Sequence, residues 1–160
     1  MQEKEFRAVY NTFAGKVYTF ILWLTQSRSS ADDILQEVFL KVWRSDSVPK
    51  NEEEQLRWLY SVARNATVDH FRKSNRFSKL RQNFKHELLC TPRESAELGF
   101  EWEWVEELAE TEKAILYLHL RDGYTYREIA EILDLKENNV RIKAFRALKL
   151  LRNKLKKKEL

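Results

Sequence analysis

The sequence predicts an all-α fold made of two small helical domains, and three observations carry that expectation. Only three glycines and two prolines occur in 160 residues. Apolar residues recur at spacings of three and four along most of the chain, and one internal stretch breaks that period. With 34% of residues charged and 43% hydrophobic, the composition suits long amphipathic helices better than turn-rich sheets. A chain of this length holds one medium domain or two small ones, since domains become marginal below roughly 60 residues, and the internal break favours two.

The first helix is marked by Phe6, Val9, Tyr10, Phe13, Val17, Phe20, Ile21 and Leu24, which share one helical face. Ser30, three residues before Asp33, reads as the N-cap of a second helix. Its apolar face is Ile34, Leu35, Val38, Phe39 and Val42, and it runs to about Trp43 or Arg44. The stretch 45–51 holds turn formers and Pro49, and proline disfavours helix in the residue before it, so this is a loop. A third helix starts near Glu53, with Leu56, Leu59, Ala63, Ala66 and His70 on a broad buried face.

Residues 77–100 lack a sustained period and contain Thr91-Pro92 and Gly99, the composition of a flexible linker. The expected organisation is therefore a domain over 1–76, a linker over 77–100 and a domain over 101–160. Beyond the linker, 102–108 and 113–120 read as two helices, stopped by the turn pair Asp122-Gly123. Tyr126 to Leu133 forms another helix. After a break at Asp134-Leu135-Lys136, a last helix carries Val140, Ala144, Ala147, Leu148, Leu151 and Leu155 on one face.

Several function classes are disfavoured. The single cysteine, Cys90, supports neither a disulfide framework nor a zinc site within the chain. His70, His86 and His119 are scattered, and no glycine-rich phosphate loop occurs, so neither an enzyme nor a cofactor is expected. No apolar run approaches the roughly 20 residues needed to span a bilayer, and residues 1–5 lack the basic and apolar regions of a signal peptide. A cytoplasmic protein without direct membrane insertion is expected.

The net charge of +4 hides a strong asymmetry. From Arg57 to Lys85 eight lysines and arginines face only Asp69, and from Glu87 to Glu112 nine glutamates face only Arg93. From Lys136 to Lys158 ten lysines and arginines face only Glu137. Two basic blocks flanking an acidic one suggest two contacts with a polyanion, with solvated helix faces as the plainer alternative.

The strongest local pattern runs from Thr125 to Arg141 and reads as helix-turn-helix. Ala130 lets two helices approach closely, Ile129, Leu133, Leu135 and Val140 fill the angle between them, and Asn138 or Asn139 can cap the second. The last helix then turns Asn138, Ile142, Phe145, Arg146, Lys149 and Asn153 away from its apolar stripe. Such a face can enter a major groove, arginine and lysine meeting guanine edges or phosphates and Ile142 and Phe145 meeting thymine methyls. A helical hairpin that packs on a partner protein is the alternative. On the third helix Arg57, Trp58, Ser61, Arg64, Asn65, Arg72 and Arg76 lie opposite the apolar face. Basic groups interleaved with an indole and an amide suit a helix that tracks phosphates and wedges against exposed bases; a solvated basic face with Trp58 in the core is the bland reading.

Over nearly its whole length the chain resembles the extracytoplasmic-function sigma factors of bacterial RNA polymerase. The segment Ser30-Ala31-Asp32-Asp33-Ile34-Leu35-Gln36-Glu37-Val38-Phe39-Leu40-Lys41-Val42-Trp43 is similar to the family's most characteristic stretch. By that resemblance Asp32, Asp33, Gln36, Glu37, Leu40 and Trp43 contact the clamp helices of the polymerase's largest subunit. The segment Trp58 to Lys73 resembles the helix that recognises and melts the minus-ten element, with Asn65 among the base-reading positions and the loop 45–55 shaping a pocket for a flipped base. From Leu108 through the helix-turn-helix the chain resembles the domain that reads the minus-thirty-five element, which puts Arg141, Ile142, Phe145 and Arg146 on the recognition face. Departures occur. His119 stands where an arginine is common, Ala109 replaces a frequent proline, Asn139 a frequent threonine, Ile142 a small polar residue and Ala144 a larger aliphatic one.

The resemblance implies three partners: core RNA polymerase, promoter DNA and a cognate anti-sigma factor that can hold the protein at the inner membrane. The alternative is a helix-turn-helix regulator of another kind, whose second domain dimerises or senses. That reading leaves the acidic-aromatic segment and the basic Trp58 helix unexplained.

Overall fold

The computed structural model describes residues 1–75 and 105–159, and every regular element among them is helical. The chain divides into two compact units, Met1–Thr91 and Pro92–Leu160. The expected linker, residues 102–104 of the expected helix over 102–108, and Arg76 lie outside the described residues.

The first unit packs three helices: α1 (Glu3–Thr25), α2 (Arg28–Arg44) and α3 (Glu52–Asn75). Its core follows the predicted stripes, with Val17, Phe20 and Ile21 of α1, Ile34, Val38 and Val42 of α2, and Leu59, Ala63 and Ala66 of α3 all fully buried. Tyr60 and Thr67 join them, which the periodicity did not predict. The Tyr60 ring meets Phe20 edge-on at 4.9 Å, and the Thr67 hydroxyl donates to the Ala63 carbonyl at 2.8 Å, so a polar side chain is buried with its donor satisfied. Leu56 and His70, predicted on that face, are only half-buried.

The start of α2 corrects the sequence reading. Ser27, not Ser30, is the N-cap, its hydroxyl accepting from the Ser30 N–H at 3.3 Å. The cause lies one residue earlier: Gln26 adopts a left-handed conformation (φ 54°) that closes α1 by donating to the Leu22 carbonyl, so the chain reverses early. Ser30 is left inside the first turn, its hydroxyl 3.3 Å from His70 Nε2, where it ties α2 to α3. At the start of α3 the Asn51 carboxamide accepts from the N–H groups of Glu53 and Glu54, an N-cap that fixes where the loop over 45–51 ends.

In the second unit Val105 and Leu108 are buried in a turn, followed by α4 (Glu110–Leu116), which widens into a π-helical turn over Tyr117–Arg121. The five successive residues from Ala114 to Leu118 are buried, so this segment lies inside the unit instead of on one side of it. Gly123, at φ 75°, ends it, and the Tyr124 N–H returns to the Leu118 carbonyl at 3.0 Å. The left-handed position explains the glycine.

Next come α5 (Tyr126–Leu133) and α6 (Glu137–Glu159), with the break at 134–136 as predicted. Thr125 and Glu128 form a capping box, the hydroxyl accepting from the Glu128 N–H at 3.2 Å and the carboxylate from the Thr125 N–H at 3.3 Å. Asp134 turns the chain through φ 54°, and the Leu135 N–H returns to the Ala130 carbonyl. Ile129, Ala130, Leu133, Val140, Ala144, Ala147 and Leu151 are buried, but Leu135 and Leu148 are half-buried and Leu155 is exposed. The expected cap also differs: Asn138 and Asn139 lie within the first turn of α6, and the Lys136 carbonyl accepts its first N–H, from Val140.

Ile34 is fully buried whereas Leu40, on the same helix, is 52% exposed. Ile34→Ala should therefore lower the stability of the first unit by about 2–5 kcal/mol, and Leu40→Ala should leave it nearly unchanged; urea unfolding followed by circular dichroism separates the two.

Candidate functional site

Three exposed surfaces among the described residues carry the predicted site residues. On α2, Asp32, Asp33 and Gln36 are exposed and Glu37 is half-buried. Leu40 and Trp43, the latter 42% exposed, continue the row one and two turns on. Beside them α1 and α2 frame a groove of about 400 Å³ lined by Phe6, Tyr10, Leu35, Gln36, Phe39, Leu40 and Trp43. Aromatic packing builds its floor: Trp43 meets Phe6 edge-on at 5.2 Å and Tyr10 meets Phe39 at 4.8 Å. Trp43 thus both supports the helix and offers its ring to solvent. Acidic side chains next to an apolar groove suit a partner that presents basic and apolar groups together.

On α3 the predicted arc is brought together only in part. Asn65 and Arg72 are exposed at the pole opposite the buried stripe, whereas Arg57, Trp58, Ser61 and Arg64 are half-buried. Arg57 and Arg64 flank that stripe at roughly 100–120° on the helical wheel, close enough to the core that the guanidinium Nε of each is buried. Asn65 is the exposed amide of this arc.

On α6 all six predicted residues, Asn138, Arg141, Ile142, Phe145, Arg146 and Lys149, are exposed on one face. Phe145 is 68% exposed and Ile142 50%, while Val140 and Ala144 beside them are buried. Two large apolar groups on a basic helix do nothing for the unit's own core. Sequence reasoning missed how this face is braced. Arg141 donates to Glu137 at 2.8 Å, its guanidinium lies 5.7 Å from the centre of the Tyr126 ring, and Tyr126 stacks on His119. The Glu137–Arg141 spacing of four was the available signal; the Tyr126 and His119 contacts cross between elements and left none.

Behind this surface, burial holds the Lys113 ammonium below its usual range, against the opposing pull of Glu106 and Glu110. Burial likewise pushes the Tyr117 phenol well above its usual range, and the Arg121 guanidinium sits 5.6 Å over that ring.

Family models match both units. Sigma-70 region 2 matches residues 9–77 and Sigma-70, region 4 matches residues 102–151. The chain is 27% identical to the ECF RNA polymerase sigma factor SigX of Bacillus subtilis (strain 168), across 94% of this chain and 83% of that one. It is 26% identical to SigM of the same organism, across 90% and 91%. Among solved structures, the sigma factor RpoE of Bartonella quintana, determined with the anti-sigma factor NepR, matches with a TM-score of 0.75 at 19% identity over 96% of this chain and 98% of that chain. CnrH, determined with the cytosolic domain of CnrY, matches with a TM-score of 0.65 at 19% identity over 97% and 90%. At these identities the two structures establish the shared fold.

The orientation of the α6 face depends on α5 starting where it does. Thr125→Ala removes the acceptor for the Glu128 N–H and should destabilise the second unit by about 1 kcal/mol, whereas Thr125→Ser, which keeps both that acceptor and the hydroxyl that donates to the Glu128 carboxylate, should not; thermal melting of the full chain reads the difference.

Proposed function

The chain belongs to the extracytoplasmic-function group of the sigma-70 family, and from that membership we propose that its helical units divide a single task among the three surfaces described. As a sigma factor it works with RNA polymerase in promoter recognition and transcription initiation. The family is one of transcription factors and not of enzymes.

In the proposed division, residues 1–76 bind core polymerase and act at the minus-ten element, and residues 101–160 read the minus-thirty-five element. Asp32, Asp33, Gln36, Glu37, Leu40 and Trp43 engage the clamp helices of the largest subunit, the carboxylates meeting basic residues and the groove accepting apolar ones. On α3 Asn65 reads an unstacked base with Trp58 beside it, and Arg57, Arg64, Arg72 and Arg76 follow the backbone with Ser61. On α6 Arg141, Ile142, Phe145 and Arg146 face the major groove, with Asn138 and Lys149 at the margins. The observation that carries this reading is the exposure of Phe145 and Ile142 amid cations, which suits thymine methyls flanked by phosphates.

A cognate anti-sigma factor is the third proposed partner, supported by the neighbouring RpoE structure, solved with the anti-sigma factor NepR. No helix among the described residues is long and apolar enough to cross a membrane. The proposed place of action is the cytoplasm, at the nucleoid when active and at the inner membrane when an anti-sigma factor holds it there.

Replacing Asp32, Gln36 and Glu37 together by alanine should reduce capture of core polymerase while the circular dichroism spectrum stays native. Unchanged capture would remove α2 from the polymerase interface.

The two DNA-facing surfaces should fail differently. On a promoter identified by transcribing genomic DNA with reconstituted holoenzyme, Asn65→Ala and Trp58→Ala should still form the closed complex but open it poorly. A premelted bubble should restore much of that loss, because the unstacking cost has been removed in advance. Arg141→Ala and Arg146→Ala should both weaken binding to the upstream duplex, a lost base contact costing on the order of 1–3 kcal/mol, with no rescue by premelting. Permanganate footprinting on intact and premelted templates decides it, and rescue of the α6 variants instead would reverse the assignment.

A further inference from the structure

Ten basic residues and a single acidic one occupy 136–158, and that acidic residue, Glu137, is ion-paired with a cation of the proposed DNA-reading face. Arg141 Nη2 donates to Glu137 Oε1 at 2.8 Å, one helical turn earlier. The Arg141 guanidinium carbon lies 5.7 Å from the centre of the Tyr126 ring, at the start of α5, so a second support comes from across the helix-turn-helix. Tyr126 in turn stacks on His119 with ring centres 4.4 Å apart and planes 26° from parallel. His119 Nδ1 lies 2.8 Å from the Tyr124 carbonyl, and since a carbonyl only accepts, Nδ1 carries the proton and donates. The result is a column from the Tyr124 backbone through two rings to the guanidinium, closed on the other side by a carboxylate. Arg146, on the same face, has no ion-pair or ring partner among the described residues.

We infer that Arg141 is the base-discriminating residue of this face, presenting a fixed fork to a guanine edge in the major groove. In this arrangement Glu137, Tyr126 and His119 are positioning residues, and Arg146 and Lys149 serve the phosphates. The inference rests on the proposed reading that α6 enters the upstream promoter duplex. Its first support is conformational. An arginine side chain is long and loses much rotamer freedom when it forms a bidentate contact, and one already held at Nη2 and over a ring has less to lose. Nη1 and the second Nη2 hydrogen remain as donors, which is the pair that guanine O6 and N7 accept. The second support is electrostatic. A carboxylate 2.8 Å from the guanidinium cancels much of its attraction for phosphates, which is sequence-independent, but leaves its directional donors in place. An acid on a DNA-facing helix weakens binding to every sequence, so its presence exchanges general affinity for discrimination.

The test uses holoenzyme assembled from core polymerase and the full chain, with selection from a duplex library randomised across the upstream element. The unmodified chain should select one guanine–cytosine pair that Arg141→Ala loses. Glu137→Gln and Tyr126→Leu should relax preference at that same pair, roughly tenfold, with other positions unchanged, while Tyr126→Phe, which keeps the ring, should retain it. Glu137→Gln should also steepen the dependence of log K on log salt by roughly one phosphate equivalent, as the released arginine becomes available to the backbone; a purely structural role for Glu137 would not do this. If neither Arg141→Ala nor Arg146→Ala changes the selected sequence anywhere, the recognition-helix reading itself fails. If Arg141→Ala relaxes one pair but Glu137→Gln and Tyr126→Leu leave it intact, or relax all positions alike, the positioning proposal is overturned and the reading stands. Loss of the guanine in Arg146→Ala instead would assign discrimination to the wrong arginine. Should Tyr126→Leu fail to fold, Glu137→Gln and the salt slope decide alone.

Discussion

Everything this molecule can offer a partner is set by the need of each helix to bury one stripe. Burying a Val, Leu or Ile side chain is worth about 1.5–3 kcal/mol, so the core stripes Val17-Phe20-Ile21, Ile34-Val38-Val42 and Val140-Ala144-Ala147 fix how each helix is rotated about its axis. Rotation then dictates what remains outside. On α2 the remainder is an acidic row beside an aromatic groove, on α3 an asparagine between arginines, and on α6 a basic face with two large apolar groups. The three exposed chemistries differ because the sequence differs on the faces the core does not use.

The angle between α5 and α6 has its own small set of causes. Ala130 and Ala144 are too short to hold the helices apart, Asp134 makes the turn in a left-handed conformation, and the Leu135 N–H closes on the Ala130 carbonyl. The Thr125–Glu128 box sets the first residue of α5, and that first residue is Tyr126, whose ring supports Arg141. The helix cap and the ring that supports Arg141 are adjacent in the chain, so moving the start of α5 moves the ring. The braced arginine follows from the local chemistry of the turn as much as from α6 itself.

Most of the helices and the recognition face were legible in the sequence because both follow from a period of 3.6 residues, and Asn138, Arg141, Ile142, Phe145, Arg146 and Lys149 are all exposed as that period requires. Features that depend on partners distant in sequence were not legible. Tyr60 is drawn into the core by Phe20, forty residues earlier, although a tyrosine beside a basic arc gives no local reason to be buried. The α2 cap was misread because Ser27 and Ser30 have the same chemistry, and only the left-handed Gln26, an unusual residue for that conformation, decides between them. Half-burial of Arg57 and Arg64 is a similar case: a wheel separates the poles of a helix well and its flanks poorly. Period alone places Leu155 on the buried stripe, yet it is exposed, because α6 outlasts the helices it packs on.

Charge placement shows why these surfaces need not be strong to be selective. Attraction for a nucleic acid grows with the number of phosphates neutralised, and ten cations on 136–158 would by themselves favour any duplex. Glu137 subtracts from that attraction at the position where a base would be read, and Glu106, Glu107, Glu110 and Glu112 lower the net charge of the same unit. One of these, Glu107, is paired with Lys154 at 2.6 Å, which ties up a cation near the end of α6 far from the reading face. The cations left uncompensated on the reading face include Arg146, exposed beside Phe145. Weak general affinity combined with a few directed donors favours discrimination between sequences over retention on any one of them, a balance suited to a subunit whose hold on DNA is shared with a much larger enzyme.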